Sequence, residues 1–280
     1  MKINHTFMSN TKKFAFGASV IMLAMIFSSC EDKEQDVRPD YVKENMSLVW
    51  SDEFDGTSAE PNPDNWDYNT GGHGWGNGER QNYTKDRSNS FVSNGTLKIV
   101  AHKNDSGKWT SARLMSSFKQ SFTYGYIEFR AKLPVEKGSW PALWMMPQFS
   151  AYGNWPRSGE IDVMEYATNT WGKKTYGTVH CKAGSGGNAV NSDYIEIPNV
   201  TKWHTYAVLW QEDSIQWYYD GKFLTEYKNP HTENEPWAAW PFDKPFYIIM
   251  NVAMGGTLGG DIPGNLEKCQ MEVDYVRVYQ

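Results

Sequence analysis

Tyr124-Gly125-Tyr126-Ile127-Glu128-Phe129-Arg130-Ala131-Lys132-Leu133 is a run with a period of two. Side chains alternate between the faces of a strand, so Ile127, Phe129, Ala131 and Leu133 share one side and Tyr126, Glu128, Arg130 and Lys132 the other. The first set is the expected core face. Similar short runs follow in both directions: Thr96 to Ala101, Trp203 to Trp210, Ser214 to Tyr219 and Met271 to Tyr279. Asp220-Gly221 is a hairpin turn by composition. Pro245 to Ala253 is a nearly continuous apolar run, as in a strand buried on both faces. Gly, Pro, Asn and Asp separate these runs, and no long helical period is present. The pattern predicts an all-β sandwich of antiparallel strands.

The first residues read as a leader. Lys12 and Lys13 precede an apolar stretch from Phe14 to Phe27, too short for a membrane-spanning helix. Residues 1–29 are therefore expected to be a signal peptide. Phe27-Ser28-Ser29-Cys30 resembles a bacterial lipobox, which would make Cys30 the lipidated first residue of the mature chain. Glu31-Asp32-Lys33-Glu34-Gln35-Asp36 follows, polar and mostly acidic, and residues 30–46 are expected to be a disordered tether. An acidic run after such a Cys also resembles the surface-export signal of Bacteroidetes lipoproteins. Residues 47–280 are then one large β domain. Location at an outer membrane or cell surface is the expectation, with the anchor on Cys30 as the membrane contact.

Composition narrows the partners. Aromatic residues make up 15% of the chain, with 13 Trp, and the net charge is −6. Without a basic stripe, nucleic acid is not expected; a neutral polysaccharide suits a Trp-rich, weakly acidic surface. Cys181 and Cys269 remain after Cys30, and the sequence does not say whether they meet. No Cys/His cluster has zinc spacing. A monomer is expected.

The chemistry centres on Glu160-Ile161-Asp162-Val163-Met164-Glu165. In a strand Glu160 and Asp162 point the same way, and Glu165 joins them only if one extra residue, a β-bulge at Val163-Met164, is inserted. Three acids on one half-buried face are costly, because like charges repel and burial disfavours ionisation. Paired carboxyls in a retaining glycosidase use that arrangement, one as nucleophile and one as acid/base. With the bulge, Glu160 and Glu165 stand roughly 13 Å apart at their Cα atoms, a gap that two leaning Glu side chains largely close. Coupled acids titrate as a group and one pKa is pushed up.

Around the acids lie candidate sugar contacts. Gly71 to Tyr83 carries so many glycines that it suits close backbone approach to a ligand, with Trp75, Asn77, Glu79 and Arg80 facing hydroxyls. Trp140 and Trp144 are natural platforms, their faces on pyranose C–H groups and their N–H groups left to donate. His180 would donate to a sugar hydroxyl or to the acid/base, or serve as a structural histidine.

Ser139-Trp140-Pro141-Ala142-Leu143-Trp144, then Trp155-Pro156-Arg157-Ser158-Gly159 leading into the acids, then Gly177-Thr178-Val179-His180 together resemble glycoside hydrolase family 16, on its laminarinase-like endo-β-1,3(4)-glucanase side. The resemblance spans about residues 47 to 280 and takes in Trp50 to Phe54, Trp75-Gly76-Asn77 and Asp274 to Tyr279. It implies a concanavalin A-like β-jelly roll of two antiparallel sheets with a concave substrate cleft. It implies Glu160 as nucleophile, Glu165 as acid/base and Asp162 as the residue that assists the nucleophile. Asn77, Arg113, Trp140, Trp144, Trp155 and His180 would line the subsites. No cofactor would serve catalysis, and a structural Ca2+ would sit at Glu53, Gly95 and Asp274. The substrate implied is β-1,3-glucan (laminarin), mixed-linkage β-1,3-1,4-glucan or both. The family loop often reads Trp-Gly-Asn-Asn-Glu-Leu-Gln; here it is Trp75-Gly76-Asn77-Gly78-Glu79-Arg80-Gln81. That departure keeps an algal galactan (agarose, porphyran, carrageenan) open as an alternative substrate. A surface glycan-binding lipoprotein without catalysis is the alternative from another class.

Overall fold

The computed structural model describes Met1, residues 35–172 and residues 174–280. Cys30 and nearly all of the expected signal peptide lie outside the described residues. The strand Gly125–Lys132 sits inside an eleven-stranded sheet, between His204–Trp210 and Lys268–Tyr279. The second sheet has seven strands, in the order Asn191–Glu196, Lys174–His180, Glu160–Tyr166, Ser139–Pro147, Phe246–Met254, Arg113–Met115, Asp67–Tyr68. Among the described residues every pairing in this second sheet is antiparallel. The expected all-β jelly-roll sandwich is what the chain forms, with one short parallel pair, Asn82–Tyr83 with Trp109–Ser111, in the larger sheet.

The core lies between the sheets. Ile127, Phe129, Ala131 and Leu133 are buried there, with Leu143, Met145, Ile161, Val179, Ile248, Met250 and Val252 from the seven-stranded sheet. The hairpin at Asp220-Gly221 is present, both residues at positive φ, as a primed turn between twisted strands requires. Helices are short: Asp40–Asn45, Thr168–Trp171 and Gly256–Gly259. None is long and apolar enough to cross a membrane among the described residues.

The other face of Gly125–Lys132 is not simply wet. Tyr126 is fully buried and Glu128 is 3% exposed. Val42, from the helix Asp40–Asn45, packs with Tyr126, Ala207, Leu209 and Tyr279 in a second, smaller core. The Arg38 guanidinium lies 4.3 Å from the centre of the Tyr279 ring. Glu128 accepts from the hydroxyls of Tyr126 and Tyr275 at 3.0 and 2.9 Å, and burial raises its pKa. The compact unit thus begins at Val37, inside the stretch expected to be tether to residue 46. A six-residue helix shows no hydrophobic period in sequence; Val42 is its buried residue, and Gln211 donates to the Tyr41 hydroxyl at 3.3 Å.

Cys181 and Cys269 are both buried and both free, so they form no disulfide with each other. Of the expected calcium residues, Glu53 binds Arg277 through two hydrogen bonds of 3.0 and 2.8 Å. Burial would raise its pKa, but the arginine outweighs it and the pKa is lowered. Asp274 is paired with Arg130. Neither carboxylate, so engaged, fits a cation site; a calcium at Glu53, Gly95 and Asp274 would have to rest on backbone carbonyls.

Candidate active site

The strand Glu160–Tyr166 carries the predicted bulge. Against the neighbouring Trp-bearing strand, Leu143 pairs with Met164 and Trp144 with Asp162, so one step there faces two here. Against Lys174–His180, Asp162 pairs with Thr178 and Glu165 with Tyr176, two steps against three. The extra residue returns Glu165 to the outer face, beside Glu160 and Asp162. All three line one cavity of 800 Å³ on that face.

A bulge leaves carbonyls without ladder partners, and buried carbonyls need donors. Two come from the opposite sheet. The Trp217 indole donates to the carbonyl of Asp162 at 2.8 Å, and the Tyr219 hydroxyl to that of Val163 at 2.8 Å. Trp217 can come this close because residue 177 is glycine: a Cβ there would stand 2.2 Å from the indole Cδ1. Gly177 enters the sequence reading only within the Gly177 to His180 motif, and Trp217 and Tyr219 are not distinguished there as site residues. Their only sequence signal is bulky aromatics at alternate positions of a strand, which is the ordinary core pattern.

The indole N–H groups are not left free, contrary to the expectation for Trp140 and Trp144. Trp140 donates to Glu165 Oε1 at 3.0 Å and Trp144 to Asn251 Oδ1 at 2.8 Å. Trp155, 52% exposed, donates to Glu160 Oε2 at 2.6 Å. Two of the three therefore fix carboxyls of the acidic cluster, and Trp140, largely buried, offers little face to a sugar. An indole can only donate, so it seeks the nearest acceptor, and burial makes that choice strict.

Electrostatics follow from crowding. Burial, then the neighbouring Asp162, pushes Glu160 up to about 8. Burial raises Glu165 to about 7, with Glu160 adding to the shift and His180 and the Trp140 N–H opposing it. Asp162 is also raised, by burial first and by Glu165. Glu160 and Asp162 are hydrogen-bonded to each other, so the group holds a shared proton near neutrality. The Trp155 N–H favours the ionised form of Glu160 and so opposes the rise that burial causes.

His180 stands behind this pair, with Nε2 3.0 Å from Asp162 Oδ2 and 3.9 Å from Glu160 Oε1. The Asp162 contact is off the line of a proper hydrogen bond, since Oδ2 has no hydrogen-bond partner. The Gly186 N–H donates to Nδ1 at 3.1 Å. Nδ1 is thus the acceptor and Nε2 carries the hydrogen. Glu160, Asp162 and His180 have the spacing of a metal site, with ligand atoms within 4.8 Å of one another. A protonated Nε2 has no lone pair for a metal, so in this tautomer the trio does not suit one.

The remaining expected contacts line the same cavity: Asn77, Arg113, Trp144 and Trp155, with Trp75 and Glu79. The Arg113 guanidinium stacks between Trp75 and Trp144, 4.6 Å from each ring centre. Its Nε is buried with no hydrogen-bond partner among the described residues, a donor suited to a sugar oxygen. Arg80 is exposed and lies outside the cavity wall. Asn251 and Ala253 also line the cavity. Asn251 had a readable signal, an amide inside the apolar run 245–253.

A family model for glycosyl hydrolases family 16 matches residues 77–277. A beta-glucanase of Rhodothermus marinus is 44% identical over 253 residues, covering 84% of this chain and 86% of that protein. A glucan endo-1,3-beta-glucosidase A1 of Niallia circulans is 40% identical, covering 84% of this chain and 38% of that longer protein. The X-ray structure of a laminarinase from Rhodothermus marinus superposes with a TM-score of 0.80 at 41% identity, covering 84% of this chain and 97% of that one.

Proposed function

This chain belongs to glycosyl hydrolases family 16, and from that membership and its site we infer that it is a retaining endo-glycosidase of β-1,3- and mixed-linkage β-1,3-1,4-glucans. The observation that carries the reading is the bulge, which brings Glu160, Asp162 and Glu165 to one wall of an aromatic-lined trough.

The geometry supplies each step of a double displacement. Ionised Glu160 attacks the anomeric carbon and forms a glycosyl-enzyme. Protonated Glu165 gives its proton to the departing glycosidic oxygen, then takes one from the water that hydrolyses the intermediate. Two displacements restore the original anomeric configuration. The Trp155 N–H steadies the ionised nucleophile, and Asp162, beside Glu160, is placed to take up the proton that Glu160 must lose before it attacks. The Trp140 N–H holds Glu165 in place for both of its roles. Group 16 chemistry of this kind needs no cofactor.

Glu160→Gln tests this directly. Turnover of laminarin and barley mixed-linkage glucan is expected to fall at least about a thousandfold, as when a catalytic nucleophile is removed. Wild-type rates in that variant would overturn the mechanism. A binder without catalysis predicts retardation in polysaccharide gels and no new reducing ends. Products from agarose, porphyran or carrageenan, and none from β-glucans, would move the substrate to the galactans.

Lipidation of Cys30 and a place on the cell surface belong to the same proposal. They rest on the leader, the lipobox-like Phe27-Ser28-Ser29-Cys30 and the acidic run after it. Loss of radiolabelled-lipid incorporation in Cys30→Ala is the expected result; unchanged incorporation would remove the anchor. A backbone-held calcium at Glu53, Gly95 and Asp274 predicts a lower melting temperature in chelator, and an unchanged one would dismiss it.

A further inference from the structure

Trp144 is fixed by groups that lie away from the reacting carboxyls. Its N–H donates to Asn251 Oδ1 at 2.8 Å. Asn251 Nδ2 donates to the Tyr83 hydroxyl at 3.1 Å, and that hydroxyl donates to Glu79 Oε2 at 3.2 Å. Gln81 Nε2 donates to the same oxygen at 2.5 Å, and Asn77 Nδ2 to Oε1 at 3.3 Å.

The direction of this chain is forced. An indole nitrogen only donates, so Asn251 must turn its oxygen towards Trp144 and its amide nitrogen towards Tyr83. Tyr83 then accepts from Asn251 and has one hydrogen left, which goes to Glu79. Three donors converge on Glu79, and a carboxylate is the side chain that accepts all of them without presenting a hydrogen of its own. Tyr83 and Asn251 are buried, so water does not readily replace a lost link. Trp144 in turn forms one wall of the slot that grips Arg113, with Trp75 as the other.

We propose that Glu79 is a positioning residue for the sugar subsite built by Trp144 and Arg113, acting through Tyr83 and Asn251. Glu79 sets the polarity of the chain at one end, and the Trp144 ring is what that polarity holds at the other. Glutamine at 79 keeps the shape but has one acceptor oxygen and an NH2 group that faces a donor. Its neutral oxygen holds Tyr83 and Gln81 more weakly than a carboxylate does while its NH2 is turned against Asn77, so the ring and the guanidinium lose their fixed places. The carboxyls at 160, 162 and 165 are untouched, so binding suffers and chemistry does not. This rests on the glucanase reading for its kinetic arm.

The test is Glu79→Gln and Tyr83→Phe, each in the wild-type and the Trp144→Phe background, on β-1,3-gluco-oligosaccharides. Each variant is expected to raise KM about tenfold with kcat within about twofold and an unchanged pH profile, the scale of one unmade buried hydrogen bond. In the Trp144→Phe background the same substitutions should change KM by less than about twofold, because the ring they hold is already altered. A tenfold effect that persists there, or no effect on KM in the wild-type background, overturns the proposal. Tyr83→Phe keeps a ring in the buried slot and carries the comparison if Glu79→Gln does not fold. A second readout needs no substrate: hydrogen exchange at the Trp144 indole N–H, assigned by its loss in Trp144→Phe, should quicken about tenfold in Glu79→Gln. Unchanged exchange defeats the proposal even if the wild type cuts no β-glucan, an outcome that would itself refute only the glucanase reading.

Discussion

Glu165 feels two opposed influences. Burial raises its pKa to about 7, while the Trp140 N–H favours the ionised form. In the proposed mechanism Glu165 must be protonated while Glu160, at about 8, is ionised, and the two titrate together, so kcat/KM is expected to fall tenfold per pH unit above about pH 8. Removing the indole N–H in Trp140→Phe takes away a stabiliser of the anion. The alkaline limb should then move to higher pH, by a few tenths to one unit. A pH–rate profile measures this, and a limb that moves down or stays in place contradicts the role given to Trp140. Activated aryl glycosides, which need little protonation of the leaving group, should show a flatter limb. Spacing alone puts Glu160 and Asp162 on one face, and adds Glu165 only with the bulge supplied. Where the indole N–H groups point could not be read from spacing, because the acceptors of Trp140 and Trp144 lie on adjacent strands, 25 and 107 residues away in sequence.

The bulge was legible as a necessity, since three acids could share a face in no other regular way. Its supports were not, because Trp217 and Tyr219 lie over fifty residues downstream and in the other sheet. A pattern of two reports which face a residue takes, not which carbonyl it meets across a sandwich. Tyr219→Phe removes the hydroxyl and leaves the Val163 carbonyl buried without its donor. It is expected to cost about 1–3 kcal/mol of stability, seen by denaturant unfolding. Because the freed carbonyl belongs to the bulge, kcat should fall more than KM rises. A stability loss with unaltered kcat would show that the bulge holds itself. Gly177→Ala should act through the same element, since its methyl group would collide with Trp217.

The molecule as a whole bears the cost of this site. Glu160 and Glu165 sit at about 8 and about 7 when folded, against 4.5 ordinarily. Folding therefore tightens their hold on protons. The associated stability is fully present below about pH 4.5 and is lost as pH rises through 7 to 8. The melting temperature attributable to these groups should decline from pH 5 to pH 8.5. Glu160→Gln should flatten that decline and melt higher than wild type at pH 8, by about 2–4 °C for about 1 kcal/mol in a domain of this size. Scanning calorimetry at several pH values decides it, and a Glu160→Gln variant melting lower at pH 8 would refute the assignment. At this scale the sandwich was readable from alternating strands, while the helix Asp40–Asn45 was not, being shorter than any period that could reveal it. That helix lies against the eleven-stranded sheet, and the backbone of Val37 passes so close to Gly221 that a Cβ there would stand 2.0 Å from its carbonyl oxygen. The trough opens on the opposite side, beyond the seven-stranded sheet. The compact unit thus begins on the face away from the three acids, and its first helix leaves the mouth of the trough uncovered for a long polymer to cross.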